Sequence, residues 1–479
     1  MEFNPFAKKF RKGQKRIALV YPNRYIGGIS NIGLQFIYAY INQMDGFSCE
    51  RFYYDVHGGK RSVETGSHLK DFDIALFSLQ YEMDYFNTVK IIRESGFNGL
   101  KIAGGPCVMQ NPKPLLGVFD AFFIGECEDR LEEIVLASNP DELSGIPGIY
   151  TGREEKVKRI YSSLSKHMEK EIIGEGAYGR CFLVEIGRGC VRKCRFCIVR
   201  QIYSPPRWRK ISDLPSVSDV KKVALISPSP SDHPNFKDLI KKYLDDGLEV
   251  SPSSIRADSI DEELIKLLRE CKVRSLTIAP ETASEFLQEL LNKNIKNEDV
   301  ERVAKLSEGN FEKIKLYYLI GIPGEKFDDI KAIIDQISYV KRFVRKVEVS
   351  VNPLVPKPHT PFQWLPFGGI KDVNVGIKEL KRKLEFMSKE CRRIGVRINL
   401  PNLKEFELQT MLSRGDSSIS RVFSGERVNI HNFLKELDPD STLPWDFIDH
   451  GYKKSRLKKE YDKVLEMLGR VWEGSYLLS

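Results

Sequence analysis

The stretch CFLVEIGRGCVRKCRFC (Cys181–Cys197) determines how the rest of the chain is interpreted. It opens with an apolar run typical of a buried β-strand and continues into a loop where Cys190, Cys194 and Cys197 are spaced CxxxCxxC. Three thiolates on one short loop can reach three corners of a cubane cluster, and thiolates favour iron–sulfur or zinc over hard cations. A structural zinc site would need a fourth Cys or His, but the nearest cysteine, Cys181, belongs to the strand. The spacing therefore favours an iron–sulfur cluster, and a zinc-binding structural protein is the non-enzyme alternative.

Further strand-like runs follow this loop, most of them separated by helical stretches. With the first run they are Cys181–Gly187, Lys222–Ser227, Glu249–Ile255, Ser275–Glu281, Lys313–Gly321 and Lys346–Leu354. Six β/α units curl into a barrel more easily than they form a flat sheet. The sequence predicts a partial (β/α)6 barrel over residues 176–400, with functional loops at the carboxyl ends of its strands.

A second α/β series precedes the barrel, over residues 15–135. Its strand-like runs begin near Arg16, Cys49, Asp73, Leu100 and Ala121, with helical segments such as 32–41 and 85–93 between them. This alternation predicts a doubly wound, Rossmann-like domain with a ligand crevice beyond the carboxyl ends of its strands. The residues expected at that crevice are Tyr25, Gly27, Gly28, Ser78, Gly104 and Gly105.

Composition and boundaries complete the expected organisation. A basic tail occupies residues 1–14, a linker residues 136–175, and a small extension that caps the barrel residues 401–479. Hydrophobic residues make up 41% of the 479, which is enough for several cores, and 75 Lys and Arg against 66 Asp and Glu give a net charge of +9. No apolar run reaches the roughly 18 to 20 residues of a membrane-spanning helix, and nine cysteines are too few for a disulfide scaffold. We therefore expect a cytoplasmic protein.

The cysteine triplet resembles the hallmark of the radical S-adenosylmethionine (SAM) superfamily, in which an aromatic residue, here Phe196, precedes the last cysteine. The resemblance implies a 4Fe-4S cluster held by Cys190, Cys194 and Cys197, whose open iron chelates SAM. It also implies cleavage of SAM to a 5'-deoxyadenosyl radical and an external electron donor such as a ferredoxin or flavodoxin.

The same resemblance suggests which residues contact SAM. Gly321, Pro323 and Gly324 in YLIGIPGE resemble the adenine-contacting segment after the fifth strand, although a plain turn is the alternative. The polar residues at the corresponding positions after the third and fourth strands are Arg256, Asp258, Glu281 and Ser284. The family's Gly-Gly-Glu after the second strand is replaced by SPSPSDH, where Ser229 and Asp232 are the substitutes for binding the SAM amino group.

The doubly wound domain before the barrel resembles the cobalamin-binding-domain class of this superfamily. It is most similar to the uncharacterised radical SAM proteins with a fused domain of this type. Methyl transfer to an unactivated carbon is the function this implies; the alternatives are a cobalamin-free rearrangement or ring closure, and a methylthiotransferase-like reaction. The Asp-x-His-x-x-Gly signature of a lower cobalt ligand is missing, and His57, after the second strand, is interpreted as a surface-loop residue.

The substrate is expected between the two domains, whose strands should present their carboxyl ends to each other. Lys357, His359 and Gln363 in NPLVPKPHTPFQW follow the sixth strand, where Lys357 and His359 are the candidate catalytic residues. The alternative is a Pro-rich wall that closes the barrel. Around the cysteine loop lie Arg188, Arg192, Lys193, Arg195, Arg200, Arg207, Arg209 and Lys210. A solvated face or compensation of cluster charge is favoured over an RNA substrate as the role of this basic group.

Overall fold

The N-terminal domain is built on a mostly parallel sheet. Its strands are β1 (Lys15–Tyr21), β2 (Phe47–Tyr53), β3 (Ile74–Ser78), β4 (Leu100–Gly104), β5 (Ala121–Phe123), β6 (Ile149–Tyr150) and β7 (Val157–Lys158). In the computed structural model, which describes residues 2–166, 168–218 and 220–476, six of them form a sheet of order β2-β1-β3-β4-β5-β6. The first five are parallel and β6 is antiparallel to β5. This confirms the doubly wound domain.

The helices of this domain are α1 (Tyr25–Ile29), α2 (Ile32–Gln43), α3 (Asp84–Ser95), α4 (Pro106–Gln110), α5 (Leu131–Leu136) and α6 (Pro140–Leu143). They cover both faces of the sheet, and every residue of β2 is accordingly buried. The turn from β4 into α4 depends on Gly105, which has φ +102°; a Cβ there would lie 2.7 Å from the carbonyl oxygen of Leu79.

The second domain contains the six expected parallel strands, a seventh parallel strand and a short antiparallel pair. Its strands are β8 (Phe182–Glu185), β9 (Gly187–Arg188), β10 (Arg207–Trp208), β11 (Lys222–Ile226), β12 (Glu249–Pro252), β13 (Ser275–Glu281), β14 (Lys313–Ile320), β15 (Lys346–Pro353) and β16 (Arg397–Asn399). Two parallel arcs, β12-β11-β8 and β13-β14-β15-β16, make up the partial barrel, and β9 pairs antiparallel with β10. The expected fold class is confirmed.

Amphipathic helices surround the barrel strands. They are α7 (Val199–Ile202), α8 (Phe236–Asp245), α9 (Glu262–Glu270), α10 (Glu285–Leu291), α11 (Asn297–Ser307), α12 (Phe327–Phe343) and α13 (Val373–Arg393). In α9 the Asp261 side chain accepts a hydrogen bond from the Leu264 backbone N–H, and Leu264, Ile265, Leu267 and Leu268 face the core. The strands are therefore held on one side by apolar helix faces.

The C-terminal extension contacts both domains rather than only capping the barrel. It contains α14 (Leu403–Arg414), α15 (His431–Leu434), β17 (Ile448–Asp449) and α16 (Lys454–Tyr476), and β17 pairs with β7. Met411, Leu412, Ile419, Phe423 and Ile448 belong to a core cluster of the N-terminal domain. Helix α16 instead packs Tyr461 and Val464 against the segment after β15. The prediction that this extension caps the barrel was incomplete, because apolar side chains of its residues 411–448 also complete a core of the N-terminal domain.

One local expectation also differs from the structure. The stretch 136–175 is more than a linker, since it contributes β6 to the N-terminal sheet and β7 to the pairing with β17. No described helix is both long and apolar enough to cross a membrane.

Candidate active site

The cysteine loop runs from β9 to α7 and carries its three thiols close to the end of β8. Cys194 is buried, whereas Cys190 and Cys197 are partly exposed. Gly189, just before the first cysteine, has φ +80°, and a Cβ there would lie 2.4 Å from the carbonyl oxygen of Tyr203. Glycine is therefore required for the loop to turn tightly against the segment that follows it.

Arg195 anchors this loop to the barrel. Arg195 donates from Nη1 to the carbonyl oxygens of Glu289 and Leu290, both at 3.0 Å, and from its backbone N–H to that of Leu291 at 3.0 Å. These three residues end α10, where carbonyl groups lack intrahelical partners. Arg195 Nε also donates to Glu460 of α16 at 3.1 Å. The cysteine loop is thus a rigid element, held by a helix end and the C-terminal extension.

The thiols lie in an environment that suits a soft cation. Burial, followed by repulsion from Cys197, raises the pKa of Cys194 to about 12, while Lys293 and Arg256 act in the opposite direction. Burial also raises the pKa values of Cys190 and Cys197. The sulfur atoms therefore keep their protons until a thiophilic metal displaces them. No three His, Cys, Asp or Glu side chains in the described part of the chain converge on a site for a single metal ion.

The polar residues expected to contact SAM form an ion-pair network beside the loop. Arg192 donates from Nε to both carboxylate oxygens of Asp232, at 2.9 and 3.0 Å, and from Nη1 to Asp258 at 3.2 Å. Asp258 also accepts from Arg256 Nε at 2.9 Å, and Glu281 accepts from Lys293 at 2.5 Å. The structure thus brings Asp232, Arg256 and Asp258 together, each already engaged by an opposite charge.

Hydroxyl groups at the same end of the barrel are less fully engaged. The buried Oγ atoms of Ser227, after β11, and Ser253, after β12, have no hydrogen-bond partner. Ser229 is buried in the same loop as Ser227, and Ser284 precedes α10 at its N-cap position. The sequence did not indicate Ser227 and Ser253 as site residues, because a serine after a strand is too common to predict a ligand contact. Orphaned hydroxyls at the open end of a barrel are suited to binding a polar ligand.

A buried ion pair between Glu325 and Lys383 stabilises the Gly321–Glu325 turn. Glu325 accepts from the Gly321 N–H at 2.8 Å and from Lys383 of α13 at 2.7 Å. Gly321 and Gly324 have φ +72° and +78°, as their turn conformation requires. Pro323 lies between them, and Phe196 packs in the cluster that contains Ile322 of this turn and Trp364. The turn is fixed, and contact with SAM stays a prediction for these residues.

A cavity of about 450 Å³ lies between the two domains. One wall is the carboxyl edge of the N-terminal sheet, including Ser78, Gly104 and Gly105. The facing wall comes from the barrel, with Arg188, Tyr203 and Ser227 among its residues. The deep end is apolar and is lined by Leu19, Leu76, Ile102, Phe123, Leu131 and Ile134. The two domains therefore present their strand ends to one shared space.

The other expected crevice residues lie outside this cavity. The Tyr25 hydroxyl donates to Glu2 at 2.5 Å, and Gly27 and Gly28 pack against the rings of Tyr21 and Tyr53. The cavity is instead reached by the start of α2, through residues 31–33 and Phe36. The displacement follows from α1, which adds a helical turn to the chain between β1 and α2.

Lys357 and His359 lie at the domain interface. Lys357 forms an ion pair with buried Glu82 of the N-terminal domain. His359 is 6% exposed and donates from Nε2 to the carbonyl oxygen of Gln110 at 3.1 Å, while its backbone N–H donates to Gln363 Oε1 at 2.9 Å. Burial lowers the pKa of His359 to about 3. Such contacts are typical of a wall that closes the barrel, which was the alternative for this Pro-rich segment, rather than of a proton-transfer group. The catalytic roles of Lys357 and His359 stay predictions.

The basic group around the cysteine loop is largely neutralised inside the protein. Arg188 pairs with Glu126, Glu128 and Glu185, at 3.2, 2.5 and 2.8 Å. Arg207 donates to both oxygens of Glu126, at 2.7 and 2.8 Å. Burial raises the pKa of that carboxyl, but these bonds, the positive charges of Arg188 and Arg207 and the Ser162 backbone N–H together lower it. Carboxylates of the protein therefore account for Arg188 and Arg207, and compensation of cluster charge stays a prediction. Glu126 and Glu128, just after β5, were not singled out from the sequence because their partners lie far along the chain.

Comparison with known proteins agrees with this geometry. A family model described as radical SAM proteins, N-terminal, matches residues 33–159, and that of the radical SAM superfamily matches residues 184–337. An uncharacterised protein of Methanocaldococcus jannaschii is 38% identical over 445 residues, covering 90% of this chain and 95% of its own. The ribosomal protein uS12 methylthiotransferase RimO of Clostridioides difficile is 26% identical over 180 residues, covering 33% of this chain and 40% of its own.

Solved structures show a similar fold. The radical SAM methyltransferase TsrM of Kitasatospora setae, solved with cobalamin and a 4Fe-4S cluster, matches with a TM-score of 0.52 at 14% identity, over 77% of this chain and 78% of its own. The cobalamin-dependent SAM radical enzyme OxsB, solved with aqua-cobalamin and SAM, matches with a TM-score of 0.52 at 13% identity, over 96% of this chain and 80% of its own. The arrangement of both domains is therefore one that solved proteins share.

Proposed function

Because the chain belongs to the radical SAM superfamily, we propose that it is a cobalamin-dependent methyltransferase that acts on an unactivated carbon. Membership of the superfamily implies an enzyme with a 4Fe-4S cluster and SAM. The part that we propose is methyl transfer, and the observation that supports it is the interdomain cavity. That cavity joins the carboxyl edge of the N-terminal sheet to the barrel wall beside the cysteine loop.

Cys190, Cys194 and Cys197 are the residues that would hold the cluster. Their loop supplies three sulfur donors and no fourth, and Arg195 and Gly189 fix its path. When bound, the cluster supplies the electron that cleaves SAM. Ser227 and Ser253 offer buried hydroxyls for the polar end of SAM, and Arg192 orients Asp232 and Asp258 at the same end of the barrel.

The interdomain cavity fits a cofactor with a flat or apolar part. A Cβ on Gly104 would meet only the carbonyl oxygen of Phe123, at 3.9 Å, so this glycine leaves the sheet edge open. The apolar deep end would exclude water from a nucleotide tail inserted between the sheet and α2. When bound there, cobalamin supplies a methyl group at the domain interface. No histidine lines this cavity within the described part of the chain, so its wall would offer no imidazole to a bound cobalamin.

The substrate would occupy the space between that cofactor and SAM. Tyr203 lies at this boundary, because it lines the cavity and its carbonyl oxygen packs against Gly189 of the cysteine loop. Burial raises the pKa of Tyr203 to about 12, so its phenol keeps its proton and can donate a hydrogen bond to a substrate. Arg188 and Glu128 form the charged rim of the same space.

Retention of cobalamin tests the proposal. The protein is purified anaerobically with hydroxocobalamin, and cobalt is measured per polypeptide. We expect stoichiometric retention by the wild type and loss in Gly104→Phe, whose ring would fill the cavity. Val375→Phe, at an exposed position on α13, is the matched control. Complete failure of the wild type to retain cobalamin would instead support a cobalamin-free rearrangement or ring closure, with the N-terminal domain recognising the substrate.

The electronic state of retained cobalt provides a second readout. Reduction to Co(II) should give an electron paramagnetic resonance spectrum without nitrogen splitting from a protein imidazole, since none lines the cavity. Splitting that disappears in a histidine variant would show that cobalamin binds elsewhere.

A further inference from the structure

A second cavity, of about 660 Å³, lies where three parts of the chain meet. Its walls come from β7 of the N-terminal domain, from the segment after β15, and from residues 446–457, which include β17 and the start of α16. It shares no lining residue with the interdomain cavity. Its size is that of a site for a metabolite of moderate size.

The rim of this junction cavity has an excess of positive charge. Its charged residues are Lys156, Lys158, Lys453, Lys454, Asp446 and Asp449. Lys454 pairs with Asp446 at 2.7 Å, and Lys156 pairs with Asp449 at 3.2 Å. Lys158 and Lys453 are exposed and form no ion pair with a described residue. Two positive charges at the rim are therefore left over.

The N-terminus of α16 opens at the same rim. This helix runs from Lys454 to Tyr476, and its first turn contains no acidic residue. The first backbone N–H groups of a helix have no intrahelical acceptor and carry partial positive charge. Acidic side chains often neutralise such an end, and their absence leaves it available to an anion.

A buried imidazole in the cavity wall lacks one partner. His450 is 4% exposed and donates from Nε2 to the carbonyl oxygen of Met109 at 3.0 Å. Because a carbonyl can only accept, Nε2 carries the proton and Nδ1 of the neutral ring is an acceptor. That Nδ1 has no hydrogen-bond partner among the residues that the structure describes. Burial, then repulsion from His359 and Arg159, keeps the pKa of His450 well below its usual value and the ring neutral.

Arg159 adds an unsatisfied donor next to this imidazole. Its guanidinium interacts electrostatically with His450, and its buried Nε has no hydrogen-bond partner. Its closest carboxylate, Glu126, is 3.9 Å from Nη1. Arg159 itself does not line the cavity, and its Nη2 donates to the carbonyl oxygen of Ser204. Buried polar groups without partners are rare in proteins, and the orphaned Nδ1 of His450 in the cavity wall points to a missing ligand.

We propose that the junction cavity binds a small phosphate monoester that also carries a hydroxyl group. The phosphate dianion matches the two unpaired lysines, Lys158 and Lys453, and the N-terminus of α16. The hydroxyl donates to His450 Nδ1. Since His450 holds the carbonyl of Met109, whose residue lines the interdomain cavity, the ligand would sit next to the wall of the proposed active site. The proposal does not depend on cobalamin or on methyl transfer.

Calorimetric titration of the cluster-containing protein tests this site, with ribose 5-phosphate as the probe and ribose and inorganic phosphate as comparators. We expect one ribose 5-phosphate to bind per chain, weaker binding of inorganic phosphate and none of ribose. The double variant Lys158→Glu, Lys453→Glu should weaken binding by about tenfold or more, because two charge-assisted contacts become repulsive. Lys389→Glu, at an exposed position on α13, should change it by less than about twofold.

A hydroxyl-specific variant separates the two halves of the proposal. His450→Gln should lower the affinity for ribose 5-phosphate towards that for inorganic phosphate, which has no ribose hydroxyl to donate. The lysine variant decides the proposal on its own if His450→Gln does not fold. The proposal is overturned if the wild type releases no binding heat with millimolar ribose 5-phosphate, if the lysine double variant binds as the wild type does, or if Lys389→Glu weakens binding equally.

Discussion

The paired imidazoles at the domain interface should make this protein sensitive to mild acid. His359 and His450 pack edge to face with ring centroids 4.3 Å apart, and they hold the carbonyl oxygens of Gln110 and Met109, the last two residues of α4. Both rings use Nε2–H as the donor in the neutral state. Protonation would place two positive charges in a buried site where, among the described residues, no carboxylate lies at hydrogen-bond distance of either ring.

The size of the effect follows from proton linkage. Burial lowers the pKa of His359 to about 3 in the folded protein, whereas an unfolded chain has a histidine pKa of about 6.5. Between these values the unfolded state binds more protons, so stability falls as the pH decreases. From pH 7.5 to 5.5 one such histidine costs about 1.4 kcal/mol, and the result is insensitive to the folded pKa provided that it stays well below 5.5. His450 adds a loss of the same sign.

Urea unfolding followed by far-ultraviolet circular dichroism at pH 7.5 and 5.5 measures this loss. In His359→Gln the difference between the two pH values should be smaller than in the wild type by about 1.4 kcal/mol. His57→Gln removes an exposed imidazole and serves as the control. Equal pH dependence in the wild type and His359→Gln would refute the assignment of His359 as a buried neutral group.

Three further predictions concern the cysteine loop and the domain interface. Cys194→Ala should lose iron, acid-labile sulfide and SAM cleavage after anaerobic reconstitution, whereas Cys181→Ala should retain them; equal iron in both would remove Cys194 from the ligand set. Gly189→Ala should incorporate much less iron than Gly247→Ala, because both have positive φ but only the first meets a backbone atom, at 2.4 Å; matching iron content would contradict this. Glu126→Gln removes the carboxylate that faces Arg159 and Arg207 and should reduce the free energy of unfolding in urea by about 3 to 5 kcal/mol, and a loss under about 1 kcal/mol would indicate a solvent-screened pair.

The sequence predicted the strands of both domains because their signal is local. Runs such as KRIALVY and KIKLYYLI are long enough to show buried strands by themselves. The two-residue strands β6 and β7 have no detectable periodicity, and they form because neighbouring strands supply their hydrogen bonds. They were therefore assigned to a linker.

The site residues also divide into those with a local sequence signal and those defined by contacts between distant segments. The cysteine triplet is compact in sequence and could be found from spacing alone. The contact between His359 and Gln110 spans 249 positions, and that between Lys357 and Glu82 spans 275. A position after a barrel strand indicated that His359 and Lys357 face a functional space, but their partners on the other domain could not be inferred from one sequence. Glu126 was missed for the same reason.

The return of residues 411–448 to the N-terminal domain has a consequence for how the protein is made. Met411, Leu412, Ile419 and Phe423 fill a core whose other side chains, such as Phe77 and Phe122, leave the ribosome roughly three hundred residues earlier. An apolar face of the N-terminal sheet must therefore stay partly exposed until the whole barrel has been synthesised. Nascent chains that stall in the barrel would expose this apolar face to chaperones and proteases, and exchanging the first domain between relatives would require exchanging this distant segment with it.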